Sequence, residues 1–176
     1  MYSLIIGTLI IFLLIAAWQD IHHYRIPNVL VFPGAIIGLL LNTLLPQEMG
    51  AFGFLTSLAG LGLGLMVLFP LYLLRAMGAG DIKLMAMIGA FVGPINMLSI
   101  TLYILLAGGV LALSVVLLRR NLSKLLENLK IVLLMRLAGL SMVNMYANGM
   151  FPESAGKLPY GVAIAAGTLF YLAATN

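Results

Sequence analysis

The sequence contains five acids, Asp20, Glu48, Asp81, Glu127 and Glu153. Two of them lie directly at the ends of long apolar runs: Asp20 follows residues 3–19 and Asp81 precedes residues 82–92. A charged side chain at the centre of a membrane helix costs about 2.5–3.5 kcal/mol on insertion scales, and less near the interface, so ionisable residues at this depth are functional candidates. Two carboxyl groups on one side of a bundle can hydrolyse an amide together. One, ionised, takes a proton from water, while the other, protonated, donates a hydrogen bond to the scissile carbonyl. Neighbouring carboxylates do not readily both ionise, so such a pair shares a proton and titrates as a unit. The other three acids have milder settings: Glu48 in a short link, Glu127 on the polar face of an amphipathic helix, and Glu153 in a loop with Pro and Gly.

The helix ends suggest a division of roles. Asp20 follows a helix C-terminus, where the dipole disfavours negative charge, and Asp81 precedes a helix N-terminus, where it is favoured. On that ground Asp20 is expected to hold the shared proton and Asp81 to act as the base. Gly78 and Gly80 flank Asp81 and allow another backbone to approach, which suits an extended peptide beside the acid. Lys83 is placed to pair with a carboxylate or a lipid phosphate. Taken alone, Gly-x-Gly-Asp also reads as a turn with an N-cap aspartate, and Asp20 alone as a boundary residue; the two together say more than either. The chain has no Cys, which removes disulfides, thiolate metal sites and a cysteine nucleophile. His22 and His23 are adjacent and cannot share one helix face. No metal and no cofactor are expected.

The elements that must position these acids follow from composition. Of 176 residues, 63% are hydrophobic and 8% charged, whereas a soluble domain carries about a quarter charged residues. Several runs approach the roughly 20 apolar residues that a membrane-crossing helix needs. The expected fold is all-α: one membrane bundle over residues 1–176, with six transmembrane helices at about residues 3–19, 29–45, 51–74, 82–92, 95–118 and 158–174. The first run has no Lys or Arg before it and no small-residue cleavage motif after it, so it reads as a retained span. Pro46 ends the second helix and Gly93-Pro94 divides the fourth from the fifth. Between residues 119 and 157, Leu122, Leu125, Leu126, Leu129 and Leu133 recur at helical spacing with Lys124, Glu127, Asn128 and Lys130 between them. This is an amphipathic helix, expected at the interface or against the bundle; a soluble linker helix is the alternative. All 9 Lys and Arg fall in or at the edges of the loops after the first, third and fifth spans. The positive-inside rule makes that side cytoplasmic and puts both termini outside. The net charge of +4 is thus a topology signal, and with no basic-aromatic module visible, nucleic acid is not an expected partner.

With these residues in place, a family resemblance can be stated. Gly78-Ala79-Gly80-Asp81-Ile82-Lys83, followed by an apolar helix with Gly89 and Gly93-Pro94, resembles the signature of the type IV prepilin peptidases, which are GxGD-type membrane aspartic proteases. The loop from Asp20 through Arg25, Ile26, Pro27 and Asn28 is similar to the family's other motif, and Lys157-Leu158-Pro159-Tyr160-Gly161 resembles a third recurring element. The resemblance runs from the first span to the last. It implies Asp20 and Asp81 as a cytoplasm-facing catalytic pair, with Arg25, Pro27, Asn28, Gly78, Gly80, Lys83, Pro159 and Tyr160 at motif positions that support the site or the substrate. It implies cleavage of a short basic leader from prepilins or pseudopilins, before the substrate's hydrophobic helix, in a bacterial inner membrane. Longer members carry an extra N-terminal region, often with paired Cys-x-x-Cys motifs that bind zinc, and also methylate the new N-terminus. This sequence looks like the short form seen with tight-adherence (Flp) pili, so peptidase without methyltransferase activity is expected. Two other readings exist. A small transporter would put its acids near the midplane, not together at one edge. A non-catalytic pilus scaffold would tolerate Asp20→Ala and Asp81→Ala alike.

Overall fold

The structure, a computed structural model, describes residues 3–47, 50–73, 77–118 and 160–175. Every regular element among them is helical: α1 Ser3–His23, α2 Asn28–Leu44, α3 Phe54–Val67, α4 Phe69–Leu73, α5 Ala79–Leu118 and α6 Tyr160–Thr175. By its contacts the chain forms two compact units, Met1–Gly109 with Pro159–Asn176, and Val110–Leu158. Both aspartates lie in the first. The expected amphipathic helix of residues 119–157, and Pro159 with it, lies outside the described residues.

Local chemistry sets the boundaries, and several differ from the sequence expectation. α1 continues a full turn past Gln19, so Asp20 is inside the helix and not in a loop after it. The extra turn is held by His22, whose Nδ1 meets the Trp18 carbonyl oxygen at 2.9 Å and whose ring stacks on Trp18. It ends at Tyr24, which takes a left-handed φ of 50° and donates its N–H to the Asp20 carbonyl at 2.9 Å, the closing position usually given to Gly. Pro27 (φ −73°, ψ 141°) then starts α2, and extended Leu45 before Pro46 ends it, as the residue before a proline prefers. The third run is two helices, not one. Pro70 has no N–H to give the carbonyl of Met66, and Leu68 (φ −98°, ψ 3°) leaves the helix there. α5 starts at Ala79, three residues earlier than expected, so Asp81 lies within its first turn. The expected break at Gly93-Pro94 is present: Gly93, with φ 75° and ψ 173°, is non-helical, and two helices meet across it within Ala79–Leu118.

The first half of α5 is the centre of its unit. Leu84, Met85, Met87, Ile88 and Phe91 are all buried. Glycines let neighbouring backbones close around it, the usual device where packing, not water exclusion, drives helix association. A Cβ on Gly60 or Gly89 would strike the other's backbone carbonyl, and one on Gly64 would strike the Met85 carbonyl. On the α2 side Gly34 receives the Met87 thioether and Gly38 the Phe91 ring, while Phe12 of α1 meets Phe91 at 6.4 Å between centroids. α1 in turn packs against α2 and α6.

A kink in an apolar interior leaves carbonyls without partners, and each must be satisfied inside the protein. Buried Asn42 does most of this: its amide donates to the carbonyls of Ala90 (3.0 Å) and Phe91 (3.2 Å), and its Oδ1 accepts the N–H of Phe52 at 3.2 Å. Buried Ser57 donates to Ala90 as well.

The periphery is apolar, with Leu4, Ile11, Val29, Leu55, Leu106 and Phe170 all exposed. A soluble protein rarely leaves so much large apolar surface in water. Three stretches are long and apolar enough to cross a bilayer, Leu4–His23, Phe54–Leu73 and Ala79–Val115, and α2 and α6 are shorter apolar helices. The molecule is a helical membrane protein.

Candidate active site

The last turn of α1 and the first turns of α2, α5 and α6 meet at one end of the bundle. Asp81 is seated by its own neighbours. Gly78 accepts the Asp81 N–H at 3.2 Å, and the Asp81 Oδ2 accepts the Gly78 N–H at 2.9 Å. With Gly78 as N-cap and Asp81 as the third helical residue, the side-chain bond back to the Gly78 N–H is one half of a capping box, and the backbone carbonyl of Gly78 takes the place of the N-cap side chain in the other. Asp81 is therefore not the N-cap itself, as the motif alone would allow. Its carboxyl also meets the favourable end of the helix dipole.

Asp20 is seated from far along the chain. Its Oδ2 accepts the N–H of Gly161 at 2.7 Å, in the first turn of α6, where backbone N–H groups have no partner within the helix. The fit is close: a Cβ on Gly161 would lie 2.9 Å from Oδ2 and 3.0 Å from Cγ of Asp20. Asp20 thus feels the C-terminus of its own helix and the N-terminus of another, so its part of the expected division of roles is weakened, while Asp81 lies in the first turn of α5 as that expectation requires.

Both acids are buried, Asp20 at 4% exposure and Asp81 at 8%, and they lie within reach of each other's charge. A buried carboxyl without hydrogen bonds is costly. Here backbone N–H groups supply them: that of Gly78 to the Asp81 Oδ2 and that of Gly161 to the Asp20 Oδ2.

The motif residues between the two seats tie them together. Gly80 lies so close to Ile26 that a Cβ would be 3.2 Å from the Ile26 Cβ. The Lys83 ammonium donates to the Asn28 side-chain oxygen at 2.9 Å and lies 5.4 Å above the Phe32 ring, so among its described contacts it pairs with an amide, not with a carboxylate. Pro27 fixes the start of α2. Arg25 is exposed on the loop before it. Tyr160 opens α6 beside Gly161 and is within electrostatic reach of Asp81. Asp20, Pro27, Asn28, Gly78, Gly80, Asp81, Lys83 and Tyr160 thus share one end of the bundle. Among the described residues no group of three or more His, Cys, Asp or Glu could hold a metal ion. A cavity of about 240 Å³ lies at the other end, lined by Ile5, Phe52, Phe91, Asn96, Tyr171 and Leu172 among others, and holds none of these residues.

Sequence reasoning gave no role to Gly161 or Asn42. Gly161 stood in the third motif, but nothing local marks it as the partner of Asp20. Asn42 carried a readable signal, an amide inside an apolar run.

A family model described as the type IV leader peptidase family matches residues 7–113, more than half of the 176 residues and a stretch that includes both aspartates. No curated protein and no solved structure matches the chain. The chain belongs to the type IV leader peptidase family and is a membrane peptidase.

Proposed function

We propose that the chain is an aspartic endopeptidase that removes the short basic leader of a prepilin or pseudopilin, with Asp20 and Asp81 as its catalytic pair. The observation that carries this reading is the pair of buried carboxyls at one end of the bundle, each with one oxygen fixed by a backbone N–H. In the reaction one carboxylate takes a proton from water as the water oxygen attacks the scissile carbonyl carbon. The other, protonated, carboxyl donates to the carbonyl oxygen, and a tetrahedral diol forms. The diol collapses as the C–N bond breaks, the amine leaves with a proton from the pair, and the leader leaves with a new carboxylate. No metal or cofactor takes part.

In this reading the whole chain is one peptidase domain of six spans in a bacterial inner membrane, both termini outside. The 9 Lys and Arg at the loops after the first, third and fifth spans support a cytoplasmic site, where a basic leader would wait. Arg25, Pro159 and Tyr160 support the approach of substrate, and Pro27, Asn28, Gly78, Gly80 and Lys83 hold the frame. The tight-adherence pilus form, without methyl transfer, rests on the resemblance of the motifs.

The test is cleavage of a co-expressed pilin-like substrate in membranes by wild type, Asp20→Asn and Asp81→Asn. Asparagine keeps an oxygen to accept the N–H of Gly161 or Gly78, so the seats survive while the acid is lost. Each variant is expected to lose about 10²–10⁴ in rate. A normal rate in either would remove that residue from the chemistry.

A further inference from the structure

We infer that Gly161 is a positioning residue for the reaction: the first turn of α6 aims the Asp20 carboxyl, and only glycine fits there. This rests on the reading of Asp20 as catalytic. Two independent features of the geometry support it. The Gly161 N–H donates to the Asp20 Oδ2 at 2.7 Å, and the α-carbon of the same residue lies against the Asp20 side chain, with an added Cβ at 2.9–3.0 Å from Oδ2, Cβ and Cγ. The first is attraction and the second is confinement, and together they fix the position of the Asp20 carboxyl.

The contact explains why the last helix begins where it does. An N–H in the first turn of a helix has no acceptor within that helix. In an apolar bundle it needs one from elsewhere, and Asp20 supplies it. The carboxyl in turn is buried from water, and the N–H replaces part of its lost hydration. A methyl group at residue 161 would not meet backbone, since the nearest atoms belong to the Asp20 side chain. The expected response is rotation of the Asp20 carboxyl away from the pair, with α1 and α6 giving by a few tenths of an ångström because the Asp20 Cβ cannot rotate out of the contact. A displacement of about 1 Å of a reacting group can cost about a hundredfold in rate.

The test uses the full-length protein in membranes with a pilin-like substrate. Gly161→Ala is expected to accumulate to wild-type level and to lose about a hundredfold in kcat, with KM changed by less than about threefold. Gly62→Ala, where an added Cβ meets nothing, is expected to cleave normally. Wild-type kcat in Gly161→Ala, alongside an inactive Asp20→Asn, would overturn the role of Gly161 and leave the catalytic pair standing; an active Asp20→Asn would instead overturn the underlying reading. A second measurement does not depend on the Gly161 variant folding. Amide exchange over residues 160–164 is expected to be at least about tenfold faster in Asp20→Ala than in wild type, because Asp20 holds that first-turn amide. Unchanged exchange there would show that Asp20 does not hold the helix start, and would overturn the inference.

Discussion

Asp81 takes its hydrogen bond from Gly78, three residues back along its own chain, whereas Asp20 takes its hydrogen bond from Gly161, 141 residues ahead. The first seat is a helix cap and needs only a short segment to close. The second exists only when α1 and α6 have docked. The position of Asp81 can therefore survive damage that leaves its helix start intact, while that of Asp20 depends on tertiary packing. An endopeptidase that needs both acids is complete only after its last helix is in place.

This contrast can be tested by perturbing the frame and the seats separately. The largest expected effect is on the frame. Gly89→Ala would drive a Cβ onto the Gly60 backbone carbonyl, which cannot move aside. Overpacking of this kind costs about 1–3 kcal/mol or more, against about 1 kcal/mol gained in helix propensity. Folded protein in a detergent titration is expected to fall steeply, while activity per folded molecule holds. Asn42→Leu leaves the carbonyls of Ala90 and Phe91 short of a donor and the Phe52 N–H without its acceptor, and is expected to cost about 1–3 kcal/mol by the same titration. Both substitutions act far from the Asp81 cap, so a loss of activity without a loss of folding would contradict the local nature of that seat.

Gly80→Ala tests the strap between the two acids. Its Cβ would lie 3.2 Å from the Ile26 Cβ, tight but against a loop that can yield by a few tenths of an ångström. Cleavage rate is expected to fall by about threefold to tenfold, less than for a full ångström of displacement, with little change in stability. Smallest is Lys83→Met, which removes the bond to Asn28. It is expected to lower stability by about 0.5 kcal/mol, the low end for a partly exposed hydrogen bond. A loss of affinity for substrate in that variant, with stability intact, would assign Lys83 to the leader instead of the frame.

Much of the site was legible because of how local it is. The Asp81 cap closes within four residues, so Gly78-Ala79-Gly80-Asp81 carries its own geometry, and Gly93-Pro94 announces its kink through the missing N–H. The two acids stood out as candidates through their place at the ends of apolar runs, and as a pair mainly through the family resemblance. The Asp20 seat was not legible, because its partner is brought by the fold from the far end of the chain. The extra turn of α1 was hidden because Tyr24 occupies a left-handed position with no glycine to signal it. Pro70 carried the signal for the break between α3 and α4, but the unbroken apolar run around it masked the boundary. Asn42 stood out as an amide among aliphatic residues, while the carbonyls it serves, 48 and 49 residues on, could be found only in three dimensions.

The central claim is that Asp20 and Asp81 act as one unit, and a double-mutant cycle on leader cleavage tests it most directly. Asp20→Asn, Asp81→Asn and the double variant would be compared in the same membranes with the same pilin-like substrate. Residues that work as a unit are strongly non-additive, so the account predicts that the double variant is no slower than either single one. Losses that multiply, or a single variant that still cleaves normally, would contradict it.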